Sequence, residues 1–502
     1  MATVRPGGRA RLLVVAVAGL LVAAGVGAFV AVHRPPPAHP LLSDALRAPR
    51  PPGGEWFGFY LLDKKVGWLF TDLELVPGRP DRARSVQELL IRAQVGEVMA
   101  ERRHREERIY EARPGGRLLS FLIEDHGDGG DQTLTGQATA GGIEVLRRRP
   151  GHADEKLALP PTAETVEDAD QVRVALLRGQ PVSGSVLDPM DLQSYTLTTT
   201  PGGTEHRTLH GVVVTLRHAT TLSEKDRVPA LSTVATDGAI LETSFGGTAA
   251  VRAEAKAVAQ RLDRVEIFGL SRVLLPRPPP ASARDIPGEL TLVVQGLPPQ
   301  SRRLTPRQTY RPLDAERVEV RIRAAPPDPS QLRTRPLGTG APETAEYLKP
   351  TLAVESAAPE IVALAQEIAG GQTDAYAAAR KVVAWVYSHM KKDYGYNADR
   401  ATDVLRQLRG DCTEHSLLAV ALLRALGIPA RRVDGVVYTS GGDGVAALYW
   451  HEWVEAWVGT TWTQLDPTFG QPVADATHLT LGEESQADII PLLGKLRVVE
   501  VR

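Results

Sequence analysis

Arg409-Gly410-Asp411-Cys412-Thr413-Glu414-His415 holds the only cysteine in a chain of 502 residues. Behind it Leu417, Leu418, Ala421, Leu422, Ala425 and Leu426 recur at helical spacing, and Val420 and Leu423 thicken the stripe. That pattern predicts a buried central helix, closed by Gly427 and stopped by Pro429. Cys412 then sits at a helix start, where the macrodipole and terminal N–H groups favour a thiolate and an oxyanion. Further on come His451, in the aromatic strand Tyr449-Trp450-His451-Glu452-Trp453, and Asp466, before Pro467. A thiol, a base and a group to orient the base are the parts of a nucleophilic site.

Geometry constrains the three. Residues 447–458 and 461–465 read as strands around a candidate turn at Gly459-Thr460. A loop of two or four residues on that centre sets Trp457 opposite Trp462 and Trp453 opposite Asp466. Asp466 is then a same-face diagonal neighbour of His451, at about 7–8 Å between backbones. A three-residue loop would turn it to the other face.

Structural readings compete at each position. A lone cysteine is commonly a small buried hydrophobe, but Cys412 lies beside Asp411, Thr413, Glu414 and His415 rather than on the apolar stripe. His415 is a rival partner, placed three residues along the same helix for local hydrogen bonding. Asp466 before a proline also fits a strand-end turn. From spacing alone these alternatives stay open. The Arg-Gly-Asp string at 409–411 is too common a tripeptide to mark adhesion.

At these residues the chain resembles the transglutaminase-like superfamily, in particular its bacterial, membrane-anchored members. Four blocks carry the resemblance: 409–415, then Ala425-Leu426-Gly427-Ile428-Pro429-Ala430-Arg431, then Trp450-His451-Glu452-Trp453-Val454-Glu455, then Trp462-Thr463-Gln464-Leu465-Asp466-Pro467-Thr468. They span roughly residues 345–485. The resemblance implies a papain-like fold, with Cys412 as nucleophile, His451 as its base and Asp466 as the orienting group. It also suggests Tyr396, in Tyr394-Gly395-Tyr396, as an oxyanion donor. It does not name the reaction, because the family includes cross-linkers, deamidases, peptidases and members without catalysis.

Outward from this domain, Pro359 to Gly370 and a stretch capped by Asp374 read as helices, as does Thr402 to Leu408. Five of the seven tryptophans (385, 450, 453, 457, 462) lie here. Residues 271–342 read as a proline-rich linker with short β pieces at 289–294 and 317–323. Residues 55–270 read as antiparallel β, beginning with Trp56 to Leu62, a turn at Asp63 to Gly67, and Trp68 to Phe70. The mixed-charge run Glu101 to Arg108 reads as a solvated strand face or loop. Asp125 to Asp131 imitates a calcium loop, but Gly127 and Gly129 stand where ligands are needed, so it reads as a hairpin turn.

Near the N-terminus, Arg5, Arg9 and Arg11 precede an apolar run from Leu12 to Val32. As a helix it spans about 31 Å, enough to cross a bilayer. The basic flank predicts a cytoplasmic N-terminus (1–11), a signal-anchor at 12–32 touching the lipid bilayer, and an exported body. Cleavage as a signal peptide, with secretion, is the alternative. Residues 33–54 form a proline-rich spacer.

Composition sets outer limits. Formal net charge is −2, which gives no general pull toward nucleic acid, and none is expected as a partner. One cysteine excludes an internal disulfide scaffold. The expected fold is therefore α+β: an N-terminal transmembrane helix, a mostly antiparallel β region, and a papain-like α+β domain at 343–502. The expected protein is an inner-membrane, periplasm-facing thiol acyltransferase or hydrolase acting on protein or peptide amides through a Cys412 thioester. It needs no cofactor and no metal. A cell-envelope peptidase or amidase with the same triad, and a non-catalytic scaffold, are the alternatives.

Overall fold

The computed structural model describes residues 42–502 apart from 96–97, 128–129, 189–192, 210–211, 226–227, 338–343, 441–443 and 484–488. Strand outweighs helix, 47% against 20%, so the α+β reading with an N-terminal transmembrane helix is corrected to a mostly β protein. The inner-membrane anchor and periplasmic placement are corrected with it. Among the described residues no helix is long and apolar enough to cross a membrane. The segment 12–32, on which that expectation rested, lies outside them. Two compact units emerge: 42–93 with 100–265, and 94–99 with 266–502.

The first unit is built on fourteen antiparallel strands in one sheet. From Glu55–Leu61 to Glu155–Leu159 each strand pairs with the next in sequence, and so do those from Val182–Asp188 to Ala249–Ala253. The strands Glu55–Leu61 and Ala249–Ala253 join the two series, with Phe59 opposite Val251. The first turn is tighter than the sequence suggests. Leu62 and Asp63 both take positive φ, 48° and 61°, and the next strand starts at Lys64. Two left-handed residues are what a two-residue hairpin loop needs to match strand twist.

The charge run 101–108 reads as solvated, but three of its eight residues, His104, Glu106 and Arg108, are buried. Strand Val98–Glu111 alternates, and His104, Glu106, Arg108 and Tyr110 all point to a buried face. There Arg108 donates to Glu106 and, at 2.6 Å, to Glu164, and Tyr110 donates to the same Glu164. Burial disfavours charge on His104, but Asp125 and Glu106 outweigh it and lift its pKa to about 9. Such a group is retained as a set, because removing one member of a buried pair costs about 3–5 kcal/mol.

The second unit holds the cysteine helix and the helices around it. Pro359–Ala369, Ala375–His389 and Ala401–Gln407 surround the cysteine helix, Cys412–Ala425. Asp374 caps its helix through Ala377 N–H, and Gly370 and Gly427 end theirs with φ of 55° and 70°. Leu417, Leu418, Ala421 and Leu422 are almost wholly buried, as the apolar stripe requires. This helix packs on an antiparallel sheet of Ala446–Trp457 (the histidine strand), Ala430–Ser440 (the central strand) and His478–Glu483 (the return strand). Trp462–Leu465 also pairs with the histidine strand, as does Val273–Leu274 at Leu448 and Ala447.

Residues 289–323, read as β pieces within a linker, instead form a four-stranded sheet with the C-terminal strand Arg497–Val501. Leu292, Val294, Val318, Val320 and Ile322 alternate inward with at most 1% exposure. That period-two burial anchors the sheet inside the second unit.

Candidate active site

The helix start is held by a reciprocal cap. The Asp411 carboxylate accepts from Thr413 N–H at 2.8 Å, and the Glu414 carboxylate reaches back to Asp411 N–H at 2.9 Å. Gly410 permits this. Its φ is 153°, and a Cβ there would strike the Glu414 side chain at 2.3 Å. The Arg-Gly-Asp string thus serves helix capping. Burial, and then the Asp411 charge, raise the Glu414 pKa well above the usual carboxylate range.

Cys412 itself is buried, with 1% exposure. One turn further on, Ser416 Oγ donates to the Glu452 carbonyl at 3.2 Å. Residues four apart share a helix face, so the thiol end of the helix lies against the strand that carries His451.

His451 and Asp466 meet directly, with Nε2 2.7 Å from Oδ2. The loop between their strands has four residues, and the register runs Trp457↔Trp462 to Val454↔Leu465. This is the even-loop geometry that the sequence required for a shared face. The two tryptophans meet edge to face at 5.5 Å. Phe469 stacks on the His451 ring at 4.8 Å, and Trp453 lies at 5.9 Å on a near-parallel plane. Aromatic faces fix the imidazole plane while the carboxylate fixes its rotation.

Asp466 is fully buried, and its carboxylate takes part in four hydrogen bonds. Oδ1 accepts from Thr468 N–H (2.7 Å) and Phe469 N–H (3.0 Å), and Oδ2 faces His451 and, at 3.0 Å, His478 Nε2. Burial works against its charge, but the two imidazoles hold its pKa well below the usual carboxylate range.

Sequence reasoning missed His478 and Asp475. His478 lies on the return strand, and its Nδ1 is 3.1 Å from Asp475 Oδ1. No local motif connects it to Asp466. The link is made by the central strand, which pairs with the histidine strand on one side and the return strand on the other. Lys392 was also missed. It stands opposite Gly410 in a short parallel pairing, with its ammonium 5.5 Å over the Phe469 ring. Burial lowers its pKa, and Asp466 pulls the other way.

Two sequence candidates are engaged in other hydrogen bonds. The Tyr396 hydroxyl donates to the Asp403 carbonyl at 3.4 Å, and its ring packs in the helical core under Arg409. Burial, then the Asp403 and Glu414 charges, push its pKa up to about 12. The structure thus places that hydroxyl on the Asp403 carbonyl rather than on any group of the His451–Asp466 pair. His415 points Nδ1 at the Asp411 carbonyl, 2.6 Å away, as its helical position suggested. Burial lowers its pKa to about 4, so the ring is neutral at physiological pH.

Gly435 stands opposite His451 in the central strand. A Cβ there would lie 2.1 Å from the Leu479 carbonyl and 2.7 Å from the Trp453 ring. Gly435→Ala should wedge the return strand from its neighbour and cost about 1–3 kcal/mol by overpacking. A urea midpoint equal to that of the unmodified protein would contradict this.

Residues 362–467 match the family model of the Transglutaminase-like superfamily. This part of the chain is a transglutaminase-like domain, and the match runs from the first helix of the domain through Cys412 and His451 to Asp466. Over 96 residues the chain is 31% identical to the protein ML0607 of Mycobacterium leprae (strain TN), covering 18% of this chain and 34% of that one. The chain thus spans about a third of that relative's length. Among solved structures, a cysteine-protease candidate from Cytophaga hutchinsonii is 17% identical, with 43% of this chain and 87% of that one covered and a TM-score of 0.29. The periplasmic domain of TgpA from Pseudomonas aeruginosa is 19% identical, with 32% and 56% covered and a TM-score of 0.23.

Proposed function

We propose that this protein is a thiol enzyme that attacks amide carbonyls of a protein or peptide through Cys412, with His451 as acid and base and Asp466 as the orienting carboxylate. The buried His451–Asp466 hydrogen bond of 2.7 Å, on the strand facing the cysteine helix, carries this reading. With Nε2 committed to Asp466, Nδ1 is the nitrogen that must serve the thiol. The thiol proton passes to Nδ1, and the sulfur adds to the carbonyl carbon. The positive end of the helix dipole lies beside the oxygen that gains charge. Collapse of the tetrahedral species breaks the C–N bond as His451 returns the proton to the leaving nitrogen, leaving a thioester. An amine or a water then attacks the thioester, giving transamidation or hydrolysis.

Because Cys412 is the sole cysteine, alkylation reports one thiol. Iodoacetamide should label it at neutral pH faster than free cysteine, and His451→Ala should remove that advantage. Labelling no faster than free cysteine in the unmodified protein would sink the proposal.

A further inference from the structure

His478 lies between two carboxylates. Its Nε2 is 3.0 Å from Asp466 Oδ2, and its Nδ1 is 3.1 Å from Asp475 Oδ1 and 3.2 Å from the Asp475 carbonyl. The remaining partners of both carboxylates are donors. Asp475 accepts from Thr477 N–H and Oγ–H at 2.9 and 2.6 Å and from Gln471 Nε2 at 2.9 Å. Asp466 accepts from Thr468 N–H, Phe469 N–H and His451. An aspartate ringed by donors is ionised and can only accept. Both ring nitrogens of His478 therefore carry protons, and the ring is an imidazolium with no solvent exposure. The direction of its pKa agrees: burial opposes the charge, and Asp466 and Asp475 overcome it and raise the value. The other groups around it are His451, with ring centroids 6.0 Å apart, the Trp453 and Phe469 rings, and Arg307, which donates to the Asp475 carbonyl.

We propose that His478 is a positioning residue: a permanent cation that shares the Asp466 oxygen with His451 and so limits how tightly Asp466 holds the proton on His451. This rests on the thiol–imidazole reading above. The charges explain why such a device is useful. Without that cation the negative charge of Asp466, backed by Asp475, would hold the proton on His451 more tightly, and an imidazole that cannot give up its proton cannot serve the leaving nitrogen. With His478 charged, Asp466, Asp475 and His478 together carry one negative charge, which one protonated His451 balances.

His478→Gln keeps a neutral N–H donor in reach of Asp466 and removes the charge; His478→Asn keeps one toward Asp475. The readout is the pH profile of Cys412 alkylation by iodoacetate in the full chain. Its rate rises as the thiolate forms and falls as the His451 imidazolium loses its proton. In either variant the high-pH limb should move up by about one pH unit, the scale of one nearby like charge. The low-pH limb, set by the thiol, should move less. A bell-shaped profile in the unmodified protein with an unmoved high-pH limb in a folded variant overturns the role of His478 and leaves the thiol–imidazole pair standing. A flat profile in the unmodified protein overturns both. Should neither variant fold, ¹⁵N-histidine spectra of the unmodified protein decide: two protonated nitrogens on His478 above pH 7 support the proposal, and one overturns it.

Discussion

Asp466→Asn should lower turnover by about 10³–10⁴-fold, the scale seen when a triad carboxylate becomes an amide. The amide can keep its oxygen toward Thr468 and Phe469 N–H, which hold Oδ1 in the unmodified protein. Its NH₂ would then face His451 Nε2 and His478 Nε2, two positions that now donate to Oδ2. To avoid a donor against a donor, His451 must move its proton to Nδ1, the nitrogen that has to receive the thiol proton. The site would be intact in outline and wrong in tautomer. Mass spectrometry of the thioester formed on a glutamine-rich unfolded protein measures the loss, and turnover within tenfold of the unmodified protein would refute it.

The same substitution should alter stability against pH. The folded pKa of Asp466 is depressed, so its contribution is present above the ordinary carboxylate pKa and is lost as pH falls below it. The folded pKa of His478 is raised, so its contribution is complete below the ordinary histidine value and is lost as pH rises through the raised one. Stability supplied by the pair is greatest between those two ordinary values. At about pH 5–6 Asp466→Asn should cost about 3–5 kcal/mol, since it leaves a buried cation with one partner fewer. The gap from the unmodified protein should narrow in acid, which urea midpoints across pH would show. A gap of constant size down to pH 2 would count against the charge assignment.

Cys412→Ala should abolish thioester formation, a loss on the order of 10⁴-fold or more, because no other group in the site can replace the sulfur. The fold should survive. Cys412 contributes one buried sulfur, and the small cavity left costs about 1 kcal/mol. Asp411 and Glu414 cap the helix without it. Retained turnover with a normal melting curve would mean that Cys412 is a packing residue.

The sequence made the cysteine helix legible because cap, apolar stripe and terminating glycine all act locally. It made the His451–Asp466 contact legible because strand side chains alternate, so one assumption about loop parity decided the face. His478 escaped because its place depends on a third strand crossing back beside the central one, with a register shift at Asp434–Gly435. Arg307 escaped similarly: it donates to Gln464 from 157 positions away. In the first unit, the charge of the 101–108 run implied solvent, yet His104, Glu106 and Arg108 face inward. Polar character predicts exposure only when no partners wait inside, and here Glu164 comes from a loop and Asp125 from the neighbouring strand.

The C-terminal strand bears on how the protein can be dissected. Val498 and Val501 sit opposite Val294 and Leu292, and Arg277 donates to the Val501 carbonyl at 3.0 Å. A fragment trimmed to residues 343–502 would keep every residue of the proposed triad yet strip that strand of its neighbour. It would bare an unpaired edge and remove the guanidinium beside Gln464 and Asp475. Such an edge invites self-association. The smallest piece that retains both sheets of this unit intact starts near Glu266, well upstream of the recognisable family segment.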